Sequence, residues 1–184
     1  MTGPKISGKG GRMKHPALLP AFGALLTIAA CSNPPPLVTN CPNVAVLEQG
    51  STLTAFLPGR TDIAAQITHA QITGVAGSCT LEKKKHQLQV VFQAGFAATN
   101  GPANTSATLT LPYLVSLSQG DNILSVTSNT IPLKFNGNES AAAATTKPIK
   151  LELPNDRNTA SLDILVSFHL TPAQLAYNNA HPGQ

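Results

Sequence analysis

The segment Ala160-Ser-Leu-Asp-Ile-Leu-Val-Ser-Phe-His-Leu170, ASLDILVSFHL, alternates apolar and polar residues almost without interruption. Leu162, Ile164, Val166, Phe168 and Leu170 share one parity, and Ser161, Asp163, Ser167 and His169 share the other. Successive side chains of an extended strand point to opposite faces, so the pattern predicts a strand buried on one side only. The same period recurs upstream. In Gln87 to Ala98, QLQVVFQAGFAA, one face collects Leu88, Val90, Phe92, Ala94, Phe96 and Ala98. Leu109, Leu111, Tyr113, Val115 and Leu117 alternate with Thr108, Thr110, Pro112 and Ser116. Ile131, Leu133 and Phe135 predict a shorter strand, as do Ile149, Leu151 and Leu153. Val44–Leu47 and a longer run from Ile63 to Val75 precede these, and in that run the parity flips between Ile67 and Ile72. A flip of this kind predicts a bulge or a bend between sheets.

Turn residues separate the segments: Pro58-Gly59, Asn100-Gly101-Pro102, Gly120-Asp121-Asn122, Asn136-Gly137-Asn138 and Pro154-Asn155-Asp156. About seven short strands with regular turns predict an all-β chain, a single antiparallel β-sandwich of immunoglobulin-like or fibronectin-III-like type. A small barrel is the alternative. One short C-terminal helix is expected, because Thr171-Pro172 offers an N-cap and a proline at the first helical position, with Leu175 to pack back. Ser140–Thr146, SAAAATT, reads as an extended loop tip or small insertion. The sandwich domain is expected over 41–178 and a disordered tail over 179–184.

The N-terminus has a different character. Lys5, Lys9, Arg12 and Lys14 precede an apolar run from Pro16 to Ala30 that is broken by Pro16, Pro20 and Gly23. A spanning helix needs about 20 apolar residues, so this shorter run reads as a signal peptide rather than a membrane span. Ile28-Ala29-Ala30-Cys31 resembles the lipobox of bacterial lipoproteins. The resemblance implies cleavage after Ala30 and a diacylglycerol thioether on Cys31, with residues 1–30 removed. Two or three acyl chains would anchor the protein firmly, since each buried methylene contributes about 0.8 kcal/mol. Met13 would by itself begin a signal of ordinary lipoprotein length, so Met1 and Met13 are both candidate starts. Residues 31–40 then form the lipidated cysteine and a proline-rich tether, reaching roughly 30 Å as polyproline II.

Removing the signal changes the charge. Four of the twelve basic residues lie before Ala30, which leaves eight against eight acids. The mature chain is near neutral, and a nucleic-acid partner, which needs a basic surface, is not expected. The three cysteines also resolve: with Cys31 carrying lipid, Cys41 and Cys79 remain as a pair in an oxidising compartment, where a disulfide persists. Two unpaired buried thiols are the alternative. No Cys-x-x-Cys is present to suggest redox catalysis. A cysteine-proline pair near the mature start, Gly74-Val-Ala-Gly-Ser-Cys79, the long alternating strand before a Gly-Pro-Ala turn, and Leu170-Thr-Pro-Ala-Gln-Leu-Ala-Tyr-Asn178 together resemble a group of small proteobacterial lipoproteins. That resemblance implies location and fold and carries over no functional residue.

Catalytic chemistry is hard to find. His15 falls in the signal; His69 and His169 fall on expected strands, His86 in a turn and His181 near the end. None has metal-ligand spacing, so no metal and no cofactor beyond the lipid are expected. Gly77-Ser78-Cys79 is not a nucleophile elbow, and no enzyme activity is expected. Two surface segments stand out. Glu82-Lys83-Lys84-Lys85-His86 reads as a solvated hairpin turn or as a contact with anionic lipid. In Thr54–Asp62, Phe56 and Arg60 could face a partner; equally, Phe56 and Leu57 could cover the sandwich end while Arg60 pairs with Asp62. The expected function is a lipid-anchored cell-envelope binding, structural or assembly module facing the periplasm and docking an envelope protein. An envelope hydrolase or a small-ligand-binding lipoprotein is the alternative. Ser32, not aspartate, follows Cys31, which by resemblance to the enteric sorting rule points to the outer membrane.

Overall fold

The computed structural model describes residues 40–136, 140–156 and 158–182. Ala30, Cys31 and the tether up to residue 39 lie outside the described residues, as do both candidate start methionines.

Among the described residues there are nine strands: β1 (Asn43–Val46), β2 (Thr52–Phe56), β3 (Gln66–Glu82), β4 (Gln87–Asn100), β5 (Thr108–Gln119), β6 (Asn122–Lys134), β7 (Ala141–Thr145), β8 (Ile149–Pro154) and β9 (Leu162–Phe168). One helix, α1 (Pro172–Ala180), follows. The strands form two sheets, ordered β1-β9-β5-β6 and β2-β3-β4-β7, with β8 also pairing β4. The β-sandwich expected from the alternation is therefore the fold.

The core is the sum of the predicted inward faces. Phe92, Phe96, Leu88, Leu133, Ile164, Val90 and Val166 are each under 2 % exposed. At its centre the Phe96 ring meets Tyr113 at 5.2 Å and Phe168 at 5.6 Å, in tilted and edge-on geometry. Such pairs add about 0.5–1.5 kcal/mol beyond burial.

Four details differ from the expectation. There are two more strands than the approximate count, because Thr52–Phe56 and Ala141–Thr145 are both strands. β7 was expected to be a loop tip, since an alanine run carries little apolar contrast between its faces. Its Ala142 and Ala144 nonetheless pack on the core. β7 and β8 pair with successive parts of β4, Gly95–Thr99 and Gln87–Phe92. Between them Thr146 Oγ1 accepts from Ala94 N at 3.1 Å, and Pro148, lacking an N–H, stands in the break.

Second, the sandwich is not wholly antiparallel: β1 runs parallel to β9. Third, the bulge in β3 lies between Ile72 and Gly74. Thr68, Ala70 and Ile72 point inward before it, and Ile67 does not. Gly74 takes φ +148 there, which glycine tolerates best. Fourth, α1 keeps its predicted start but not its predicted contact. Thr171 and Gln174 form a reciprocal capping box (Thr171 N to Gln174 Oε1, 2.8 Å; Gln174 N to Thr171 Oγ1, 3.3 Å). Leu175 is 41 % exposed, however, and Tyr177 makes the packing contact instead. The helix also runs past residue 178 into the expected tail, ending at Ala180.

Candidate functional site

One end of the sandwich gathers the start of the described chain. The β1 and β9 starts are adjacent, and Asn43 Nδ2 donates to Asp163 Oδ1 at 3.0 Å. Just before β1, Cys41 is disulfide-bonded to Cys79 on β3, with Cα atoms 6.1 Å apart, so the bridge ties one sheet to the other. Asn40 Nδ2 donates to Asn155 Oδ1 (3.1 Å), and Asn155 N donates to His86 O (3.3 Å). The chain thus enters the domain beside the β3–β4 turn that carries Lys83, Lys84 and Lys85.

All three lysines are exposed. Lys85 Nζ lies 3.4 Å from Glu152 Oε1, with both side chains about half exposed, a geometry that contributes little to stability. Glu82, Asp121 and Asp156 sit at the same end, on the strand termini and turns gathered there. The lysines therefore project from a mixed-charge surface rather than a uniformly basic one.

Phe56 and Arg60 lie at the opposite end. β3 separates them from the lysine turn by seventeen residues, on the order of 50 Å of strand. The two candidate partner segments cannot belong to one small surface. Arg60 grips Asp62 through two hydrogen bonds, Nε to Oδ2 at 2.8 Å and Nη2 to Oδ1 at 2.7 Å. That bond holds the Asp62 carboxyl below its ordinary range and raises the Arg60 guanidinium further. Phe56 packs edge-on against Tyr177 at 5.0 Å, and Tyr177 stacks on His181 at 4.2 Å.

Next to this aromatic group the outward face of the β2-β3-β4-β7 sheet is hollowed. Cross-strand register aligns Thr54, His69, Thr99 and Ala141 in one row and Gln71, Ala97 and Ala143 in the next. Alanine at three of these positions leaves a shallow groove of about 380 Å³, bordered by His69, Gln71 and Thr99. A second hollow of about 290 Å³ shares His69 and Thr99 and reaches Tyr177; a third, of about 240 Å³, continues past Tyr177 to Arg60. Together they form an open trough between β7 and α1.

His69 is fixed within it: its Nδ1 shares a hydrogen bond of 3.0 Å with Thr54 Oγ1, and Thr54 is 6 % exposed. His169 is not on a strand but just past β9, where its N–H donates to Pro112 O. Among the described residues no three His, Cys, Asp or Glu side chains lie together as a metal site, and no helix is long and apolar enough to cross a membrane.

The trough was invisible in the sequence. Its lining comes from β2, β3, β4, β7 and α1, and its floor is alanine, which has no chemical signature. The only hint was the AAAA run of 141–144. Comparison with protein-family models, with curated proteins and with solved structures finds no match.

Proposed function

We propose that the protein is a lipid-anchored cell-envelope module that binds a protein partner in the trough between β7 and α1, serving as an accessory or assembly factor rather than an enzyme. The observation that carries this reading is positional. The trough lies at the end of the sheet where β3 begins and β4 finishes, whereas the chain enters at the other end, bolted there by Cys41–Cys79. A tether from Cys31 would then hold the domain by one end and leave the trough facing away. An open, shallow, alanine-floored hollow suits a protein surface, whereas small-molecule sites enclose most of their ligand. The lipobox-like Ile28-Ala29-Ala30-Cys31 supports the anchor, and the disulfide suits an oxidising compartment.

Two measurements test the reading. Mass analysis of the N-terminal peptide from cells should find a thioether-linked diacylglycerol on Cys31, and Cys31→Ser should release the protein from the membrane fraction. A photo-crosslinking residue at Gln71 should capture one reproducible protein in cells, and Ala143→Arg, which fills the trough, should abolish that capture. Capture that is the same from Lys84 and indifferent to Ala143→Arg would sink the docking site.

A further inference from the structure

The two sheets part along one side of the sandwich. There β6 runs beside the connection from β7 to β8, residues 146–148, and no ladder joins them. The crevice between them measures about 480 Å³ and takes its walls from both layers, residues 129–132 of β6 on one side and 144–149 on the other. That volume is in the range of small-ligand sites, about 300–1,000 Å³. Its apolar lining includes Ile131, which is 5 % exposed, and Ala144 and Ile149, which pack on the core.

Tyr113 of β5 reaches this crevice from the core, 5 % exposed and with its ring against Phe96. A buried tyrosine usually sets its hydroxyl on a hydrogen-bond partner. Among the described residues this hydroxyl has none. Every side-chain polar atom sealed from solvent there does have one. The Tyr113 hydroxyl is therefore not sealed, and it opens on the crevice that the residue lines. Phenylalanine would fill the same core space, so packing does not account for the hydroxyl. The opposite wall is held rigid. Thr146 N donates to Ala94 O (3.0 Å), Ala94 N donates to Thr146 Oγ1 (3.1 Å), and Gln93 Nε2 donates to Thr146 O (2.7 Å). Pro148 follows, with its φ fixed by the ring. Lys147 stands between these two residues, exposed at the mouth of the crevice. Among the described residues no acid pairs with it and none lines the crevice, so the lining's one formal charge is positive.

We propose that this crevice binds a small amphipathic carboxylate, its apolar chain against Ile131 and Ile149 and its carboxylate accepting from the Tyr113 hydroxyl while facing Lys147. The phenol keeps its proton at neutral pH and so donates. A carboxylate only accepts, and a bond to a charged acceptor is about twice as strong as one between neutral groups. An amine would meet Lys147 as like charge, and an alcohol would leave Lys147 without a counter-charge. The apolar walls favour a chain of several carbons over a bare anion, since each methylene removed from water adds to binding. Thr146 and Pro148 fix the wall beforehand, so little ordering is left to oppose binding. The crevice shares no lining residue with the trough.

The site does not depend on the lipid anchor or on protein docking in the trough, so its test stands apart from theirs. Hexanoate is the probe. Titrated into full-length protein labelled at the isoleucine methyl groups, it should shift the Ile131 and Ile149 resonances. Ile63, 78 % exposed just before β3, should stay in place. The affinity should be on the order of millimolar, as suits a ligand of few atoms. Tyr113→Phe and Lys147→Gln should each weaken it about tenfold. Hexanol should bind about tenfold more weakly than hexanoate, and hexylamine more weakly still. Circular dichroism checks the fold of each variant. Lys147 is exposed, so Lys147→Gln keeps the test decisive even where Tyr113→Phe fails to fold. Absence of shifts at Ile131 and Ile149 overturns the proposal. So does binding that either folded variant leaves unchanged. Hexanol and hexylamine that match hexanoate also overturn it, because they mark an apolar hollow with no seat for a carboxylate.

Discussion

Replacing Cys41 and Cys79 together by alanine should cost this fold about 4 kcal/mol. The two residues are 38 apart in sequence. On the chain-entropy treatment, closing a loop of that length removes about 13 cal/mol/K from the unfolded ensemble, or about 4 kcal/mol at 25 °C. The lost contacts of Cys79, which is partly buried against the core, add less than about 1 kcal/mol. Against a typical domain stability of about 5–15 kcal/mol, this is a large share. The chain has no tryptophan, so urea unfolding is best followed by far-ultraviolet circular dichroism. With a slope of about 2 kcal/mol/M, the midpoint should fall by about 2 M urea. The slope itself should rise, because the denatured chain is no longer cross-linked. Hydrogen exchange should reveal the local consequence. The bridge ties the start of β1 to β3, so the amides of Val44–Val46 should lose protection before those of β4 and β5. Reductant should reproduce the loss in the wild type and leave the double variant unchanged. Coincident midpoints for wild type and double variant, or a wild type indifferent to reductant, would refute the reasoning.

Three further outcomes follow from the same structure. Phe96→Ala removes a ring that is 1 % exposed and wedged between Tyr113 and Phe168; the denaturation midpoint should report a loss of about 3–5 kcal/mol. Thr171→Ala deletes the capping box of α1 and should cost that helix about 1 kcal/mol. Because α1 has no buried residue, exchange of its amides should quicken while the global midpoint moves little. Burial raises the Tyr113 phenol above its ordinary 10.0. Below pH 10 both states keep the proton and this group changes nothing. Above it the unfolded chain ionises first, so stability should fall as pH rises toward the folded value. Ultraviolet titration combined with urea midpoints across alkaline pH should show that fall in the wild type and a smaller one in Tyr113→Phe.

The legibility of the fold tracked apolar contrast. β4, β5 and β9 carry apolar residues, most of them large, at every second position, and each forms where its period places it. β7 lacked that contrast because alanine gains little from burial and so marks neither face. β2 was hidden for another reason: Thr54 points outward yet is buried, covered by α1, so its polarity misled. The parity flip between Ile67 and Ile72 did not mark the bulge in β3. Ile67 is not the inward residue; Thr68 is, its hydroxyl donating to Thr99 O at 2.8 Å, and the bulge lies further on, between Ile72 and Gly74.

Local chemistry was decided by the sequence alone. The Cys41–Cys79 pairing, the Thr171 cap with proline at the first helical turn, and the Arg60–Asp62 contact each involve residues whose partner the chain itself names, by proximity or by elimination. Relations between distant segments belonged to the tertiary structure. It placed the lysine turn and the Phe56–Arg60 loop at opposite ends of β3, and it brought five elements around an alanine floor. Strand period specifies which face is buried, but it carries no information about which strand lies beside which. Pairing order is set by competition among many similar faces for one core. The trough arises from that competition.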